Sequence, residues 1–119
     1  MISDPNEVIK EAADYLNANC GNSDKLIELL DKLFDELQDL LIDMGDLSLN
    51  SNLFTAYLAA YIVTRSIIDG APPPTGDSLT DDLLRLISGE TNIGNELSRY
   101  DITMAIRELR NKVHCGSST

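Results

Sequence analysis

The chain has 119 residues, enough for one domain, and 43% of them are hydrophobic, which is typical of a globular protein and too many for a disordered one. Its formal net charge of −11 favours solubility and disfavours unaided binding to nucleic acid or to anionic membranes. No apolar run reaches the roughly 18–20 residues that a bilayer-spanning helix needs, so we expect no membrane segment.

The negative charge is concentrated in the first half of the chain. Residues 1–50 contain twelve acidic and three basic residues, whereas residues 90–119 contain four of each. The basic residues near the C-terminus are therefore available to meet the acidic part, within one molecule or across a dimer.

The N-terminal segment carries the start signal of a first helix. Asp4 is a capping residue, and Pro5 follows where its missing N–H costs nothing. The sequence Asn19-Cys20-Gly21-Asn22 ends this predicted helix.

Residues 24–44 have the pattern of an amphipathic helix. Apolar residues recur at spacings of three and four along one side, and aspartates recur every fourth residue along the other. Like charges at this spacing repel, and Asp is a poor helix former, so the helix depends on packing of its apolar side. We expect Ser23 to cap it and Gly45 to end it. The apolar side comprises Leu26, Leu30, Leu33, Leu37, Leu40 and Met44, and the acidic side comprises Asp31, Asp35, Asp39 and Asp43.

A third helix is predicted to start at Asn50 or Ser51 and to end at Asp69-Gly70. Apart from Arg65 it contains no charged residue before Asp69, and it has almost no polar side. A helix that is apolar all round is buried by its surroundings. We therefore expect it to be the central element, or to divide its surface between the core and a partner chain.

The segment after the third helix contains Pro72-Pro73-Pro74. Three consecutive prolines fit neither a helix nor a central strand, so an extended loop is predicted. This loop is either a rigid connector or a ligand for an aromatic groove. A short helix is predicted after it, from Ser78 or Thr80 to Ile87.

The last predicted helix starts after Asp101, a suitable N-cap. Glu108 and Lys112 form a favourable pair four residues apart, and His114 lies in the final turn, where a cation suits the helix dipole. The apolar side comprises Ile102, Ile106, Leu109 and Val113, which fall three and four residues apart.

No segment alternates between apolar and polar residues as a half-buried strand does. We therefore predict an all-α fold, a compact four- to five-helix bundle with antiparallel neighbours. It forms a single helical domain over residues 1–115, followed by a disordered tail at 116–119.

Patterns for catalysis and metal binding are missing from the sequence. The sole histidine, His114, and its neighbour Cys115 point about 100° apart on a helix, so they do not readily share a proton or a metal. One histidine and two cysteines are too few for a zinc tetrad. The residues from Asp46 to Asn50 match the start of a calcium loop, but the required Gly and the closing Glu are replaced. We predict a protein that is not an enzyme and carries no metal or cofactor.

Cys20 and Cys115 lie near the ends of two different predicted helices. They are either reduced thiols of a cytosolic protein or a bridge that joins the first helix to the last. The first residues show neither the basic region nor the apolar stretch of a secretory signal. We therefore predict a cytoplasmic protein.

Two groups of residues are candidates for binding a partner. The aspartates of the second helix are either a solvated outer face or a docking surface for a basic partner, where charge raises the association rate and selects partners. Their rise of about 6 Å per step is close to phosphate spacing, so mimicry of a nucleic-acid backbone is a further alternative. On the third helix, Phe54, Tyr57 and Tyr61 are either core residues or, if exposed, interface anchors. The apolar character of that helix also predicts a homodimer.

We predict a non-enzymatic interaction protein of the adaptor, inhibitor, immunity or chaperone-like kind. One alternative is a nucleic-acid-related regulator, with Arg107, Arg110 and His114 as a basic strip, although the net charge disfavours direct nucleic-acid binding. A second alternative is a structural or assembly subunit. The residues predicted to contact a partner with a basic surface are Asp31, Asp35, Asp39, Asp43, Tyr57 and Tyr61.

Overall fold

The computed structural model describes residues 4–44, 51–70 and 99–114. Side chains are described at residues 4–40, 52–70 and 101–114. Four α-helices account for most of these residues. They are α1 (Pro5–Ala18), α2 (Ser23–Met44), α3 (Ser51–Asp69) and α4 (Arg99–Lys112). No strand occurs within these ranges, so the predicted all-α fold is confirmed and a four-helix bundle fits it. The proline loop, the helix predicted over 78–87 and the predicted tail lie outside the described residues.

The start of α1 is capped as its sequence predicts. The carboxylate of Asp4 accepts a hydrogen bond from the backbone N–H of Asn6 at 2.9 Å, and Pro5 occupies the first turn. The helix ends at Ala18, followed by Asn19 as its C-cap. Its buried side consists of Val8, Ile9, Ala12, Ala13 and Leu16.

α3 is the central element of the fold. It packs against α1, α2 and α4, and every side chain from Leu53 to Thr64 is buried. Gly70, with φ of 68°, follows its last turn in a conformation that other residues rarely adopt. Since a single chain covers this helix, its apolar surface gives no reason to expect a homodimer, and the dimer stays a prediction.

The apolar side of α2 is buried along the length over which its side chains are described. Leu30 is partly buried, and the four leucines that complete the described part of this side are covered against the core. The predicted amphipathic arrangement is therefore present. The buried leucines are Leu26, Leu33, Leu37 and Leu40.

The boundaries of α4 differ from those predicted. The helix begins at Arg99, so Asp101 lies in its first turn and is not the N-cap. It ends at Lys112, so His114 lies past the last turn. An acidic side chain interacts favourably with the helix dipole in the first turn as well as at the N-cap. Asp101 therefore indicated the start of a helix without fixing its first residue.

Asn17 joins the end of α1 to the end of α4. Its side-chain N–H donates to the carbonyl oxygen of Lys112 at 2.9 Å, and its side-chain oxygen accepts from the backbone N–H of His114 at 2.7 Å. These hydrogen bonds bring the C-terminal ends of the two helices together, and antiparallel packing of chain neighbours stays a prediction.

Cys20, two residues after α1, is disulfide-bonded. The sequence contains one other cysteine, Cys115, which lies outside the described residues and is the partner that a bridge within one chain requires. The interpretation of two reduced thiols is therefore wrong, and the bridge interpretation is confirmed.

Candidate partner-binding surface

The candidate site is a row of carboxylates on the outer side of α2. Asp31, Asp35 and Asp39 are exposed and lie one turn apart, about 6 Å along the helix axis for each step. We call these three residues the acidic ridge. Asp43 continues the row in the helical backbone, but its side chain lies outside the described side chains.

The position of the acidic ridge follows from the burial of the opposite side. Leu33 and Leu37 are 5% and 0% exposed, and this burial fixes the rotation of α2 about its own axis. With 3.6 residues per turn, the aspartates two residues away from these leucines must face outward. The packing of the core therefore presents the carboxylates to solvent.

The acidic ridge keeps its charge uncompensated within the described residues. Lys25 pairs with Glu28 at 3.5 Å, and no described cation forms an ion pair with Asp31, Asp35 or Asp39. The basic residues of α4 lie on a helix that packs against α1 and α3. The described ion pairs include none between these basic residues and the acidic residues of the first half of the chain. The carboxylates of the acidic ridge can therefore pair with a cationic partner.

The two tyrosines predicted as partner contacts lie in the core. Tyr57 and Tyr61 are each 6% exposed, and Phe54 is fully buried. Because α3 is central, aromatic residues spaced three and four apart on it fill the interior. The core alternative for this set therefore agrees with the structure, and the tyrosines offer no open surface in the single chain.

Tyr57 lies in a negatively charged part of the core boundary. Burial raises the pKa of its phenol above the ordinary 10.0, and the negative charges of Glu36 and Glu11 raise the pKa further. One carboxylate oxygen of Glu36 is itself buried and has no hydrogen-bond partner among the described residues. A buried carboxylate oxygen without a partner is unfavourable, so this part of α2 opposes folding.

The raised pKa of Tyr57 predicts a loss of stability in alkali. Above pH 10.0 the unfolded chain releases the Tyr57 proton while the folded chain keeps it. The unfolded state then binds fewer protons, so the free energy of unfolding falls as pH rises from 10.0 towards the higher folded pKa. Urea titrations at a series of alkaline pH values should show a shallower decline for Tyr57→Phe than for the natural chain. Equal declines would contradict this assignment.

Apart from the acidic ridge, a concave feature lies between α1, α3 and α4. It is a cleft of about 600 Å³, within the usual size range of small-molecule sites. Sequence reasoning missed it, because residues from three helices form it only after packing. Among the described residues that line it there is no serine, cysteine or histidine, and their polar groups suit hydrogen bonding. The polar and charged lining residues are Asn6, Asn52, Thr55, Asp101, Arg107, Glu108 and Asn111.

The described residues hold no group of three or more histidine, cysteine, aspartate or glutamate side chains that could bind a metal ion. None of the described helices is both long and apolar enough to cross a membrane. That the protein is not an enzyme and binds no cofactor stays a prediction.

Comparison with known proteins gives no relative from which a function could be transferred. No protein-family model matches the chain, no curated protein matches its sequence, and no solved structure matches its fold.

Proposed function

We propose that this protein acts by binding a partner protein with a basic surface through the acidic ridge of α2, as an adaptor, inhibitor, immunity or chaperone-like protein. The observation that supports this function is the row of three exposed carboxylates without an ion-pair partner among the described residues. Side chains held on a packed helix are more accurately placed than side chains on a loop. The ridge therefore presents a fixed pattern of charge.

The electrostatics of the whole chain favour a basic protein as the partner. A net charge of −11 repels nucleic acid and anionic lipid, and it attracts cationic surfaces over a distance of about 10 Å at moderate salt. Such charges mainly raise the association rate and exclude partners of the wrong sign. Masking of the partner's surface would follow from binding and needs no chemical step.

Mimicry of a nucleic-acid backbone remains the second candidate for the same ridge. The axial step of about 6 Å between its carboxylates is the feature that favours it. Under this alternative the partner would be a protein that binds DNA or RNA, and nucleic acid would compete for it. A dedicated mimic would carry acidic residues over most of its surface. The exposed basic residues of α4, which are Arg107, Arg110 and Lys112, do not fit that pattern.

The disulfide at Cys20 bears on the cellular location of the protein. Structural disulfides are rare in the reducing cytosol, so the bridge at Cys20 argues against the cytoplasmic location predicted from the N-terminal residues.

Neutralising the acidic ridge should weaken partner binding. The double variant Asp35→Asn and Asp39→Asn is expected to raise the Kd about 2- to 30-fold, since each exposed ion pair contributes about 0.2–1 kcal/mol. The dependence of log Kd on log salt should also become flatter. Quantitative affinity capture from the native host identifies partners, and titration of a captured protein gives the Kd.

The matched control is the double variant Glu7→Gln and Asp14→Asn. Both of these acidic residues are exposed on α1, and the change in net charge equals that of the ridge variant. Binding of a true ridge partner should be nearly unaffected by the control. An equal loss for both variants would show that net charge, not the ridge, governs binding.

A further inference from the structure

Beside the acidic ridge, α2 carries a short row of apolar side chains that the core covers only in part. Ile27 is 46% exposed, and Leu30 and Phe34 are partly buried. Their spacing of three and four residues places them along one side of the helix. We call these three residues the apolar strip.

The apolar strip is anchored to the core at its far end. The ring of Phe34 contacts the ring of Tyr61, with centroids 6.1 Å apart and planes tilted by 43°. Leu30 and Phe34 also pack against the buried core. Because these contacts limit side-chain motion, a ligand that covers the strip loses little additional conformational entropy on binding.

The apolar strip and the acidic ridge lie on adjoining sides of α2. At about 100° per residue, Asp31 is rotated about 40° from Ile27 and about 60° from Phe34. Asp35 follows Phe34 directly in the chain. A ligand seated on the strip would therefore have carboxylates along one edge.

The negative charge of the acidic ridge determines which kind of ligand can cover the apolar strip. A second copy of this chain would bring its own acidic ridge to the contact, and anionic lipid or nucleic acid would be repelled in the same way. A basic protein segment would gain ion pairs as well as apolar contact. The strip spans seven residues, about 10 Å along the helix axis, which matches two turns of a helix laid alongside.

We propose that the apolar strip and the acidic ridge together bind a basic amphipathic helix of a partner protein. The apolar side of that helix covers Ile27, Leu30 and Phe34, and its lysine or arginine side chains pair with Asp31 and Asp35. This inference rests on the proposed function, since it uses the same ridge. It adds the form of the partner and the residues that hold it.

The test uses two synthetic peptides made of leucine and lysine in the same proportions. In one peptide the leucines follow helical spacing, and in the other their order is scrambled. Fluorescence anisotropy of labelled peptide gives the Kd for the full chain with its disulfide intact. The patterned peptide should bind about tenfold more tightly than the scrambled one, and its circular dichroism should show a gain of helix on binding.

Variants separate the two parts of the surface. Ile27→Ser should weaken the patterned peptide roughly three- to tenfold, because an exposed apolar contact is lost, and should leave the scrambled peptide unchanged. Met104→Ser is the matched control, since Met104 is 41% exposed on α4, and it should change neither Kd. Circular dichroism checks that each variant is folded.

Each failure has a distinct meaning. If the Asp35→Asn and Asp39→Asn variant weakens both peptides while Ile27→Ser changes neither, the proposed function stands and the apolar strip is rejected as a contact. Absence of a helix gain on binding likewise overturns the helical form of the partner. If the ridge variant leaves both Kd values unchanged, the ridge itself is not the binding surface and the proposed function fails.

Discussion

Replacing Phe54 by alanine is expected to lower the free energy of unfolding by about 3–5 kcal/mol. Phe54 is the largest fully buried side chain among the described residues, and it lies on the central helix α3. Its removal takes away apolar contacts and leaves a cavity that three surrounding helices cannot fill without moving. Domains of this size have a total stability of about 5–15 kcal/mol, so the variant should be at the limit of folding.

Urea unfolding followed by circular dichroism measures this loss. Ile27→Ala is the control, because Ile27 is exposed and its truncation should cost far less. A loss below about 1 kcal/mol for Phe54→Ala would mean that Phe54 is not packed in the core. It would also place the central position of α3 in doubt.

Removing the disulfide is expected to have an effect of similar size. The bridge between Cys20 and Cys115 closes a loop of about 95 residues, and the chain-entropy model assigns about 4–5 kcal/mol to a loop of that length. Cys20→Ser should lower the midpoint of urea unfolding accordingly. Treatment of the natural chain with a reductant should produce the same shift, because both changes remove the same restriction on the unfolded chain.

A thiol assay on the denatured, unreduced chain provides the independent control. It should detect no free thiol before reduction and two afterwards. Two free thiols before reduction would show that the bridge is absent from the purified protein. In that case the hydrogen bonds of Asn17 to Lys112 and His114 would be the described contacts that join these helix ends.

Phe54 and the disulfide stabilise the same fold in different ways. Phe54 contributes through apolar burial in the folded state, whereas the disulfide acts mainly by restricting the unfolded chain. The acidic ridge lowers the stability of the fold, because its like charges repel each other at spacings of four residues. A stable core is therefore needed to hold the acidic ridge in place for binding.

Local signals in the sequence predicted much of the helical structure. The Asp4-Pro5 start of α1 and Gly70 after α3 lie at observed helix boundaries. The prediction that Ser23 caps α2 is wrong by one residue, because Ser23 is the first residue of the helix and the side-chain oxygen of Asn22 accepts from the backbone N–H of Lys25 at 3.2 Å. These signals work because capping and turn residues act on backbone groups next to them in the chain. The start of α4 was predicted three residues late because Asp101 suits a first turn as well as a cap.

The candidate surface was predictable in part. The periodicity of residues 24–44 placed Asp31, Asp35 and Asp39 outside and Leu33 and Leu37 inside, as observed. The apolar strip was missed, although Ile27 and Phe34 stand seven residues apart in the sequence. The spacing of apolar residues along α2 does not show which of them the neighbouring helix covers and which it leaves exposed.

The sequence by itself determined the helical fold class and the two sides of α2, because periodicity and capping depend on residues close together in the chain. Tertiary structure decided that Tyr57 and Tyr61 are interior, that Cys20 is bridged, and that a cleft opens between α1, α3 and α4. Each of these depends on which helices become neighbours. Which helices pack against each other depends on the complementarity of whole helix surfaces, and the sequence of a single helix does not determine it.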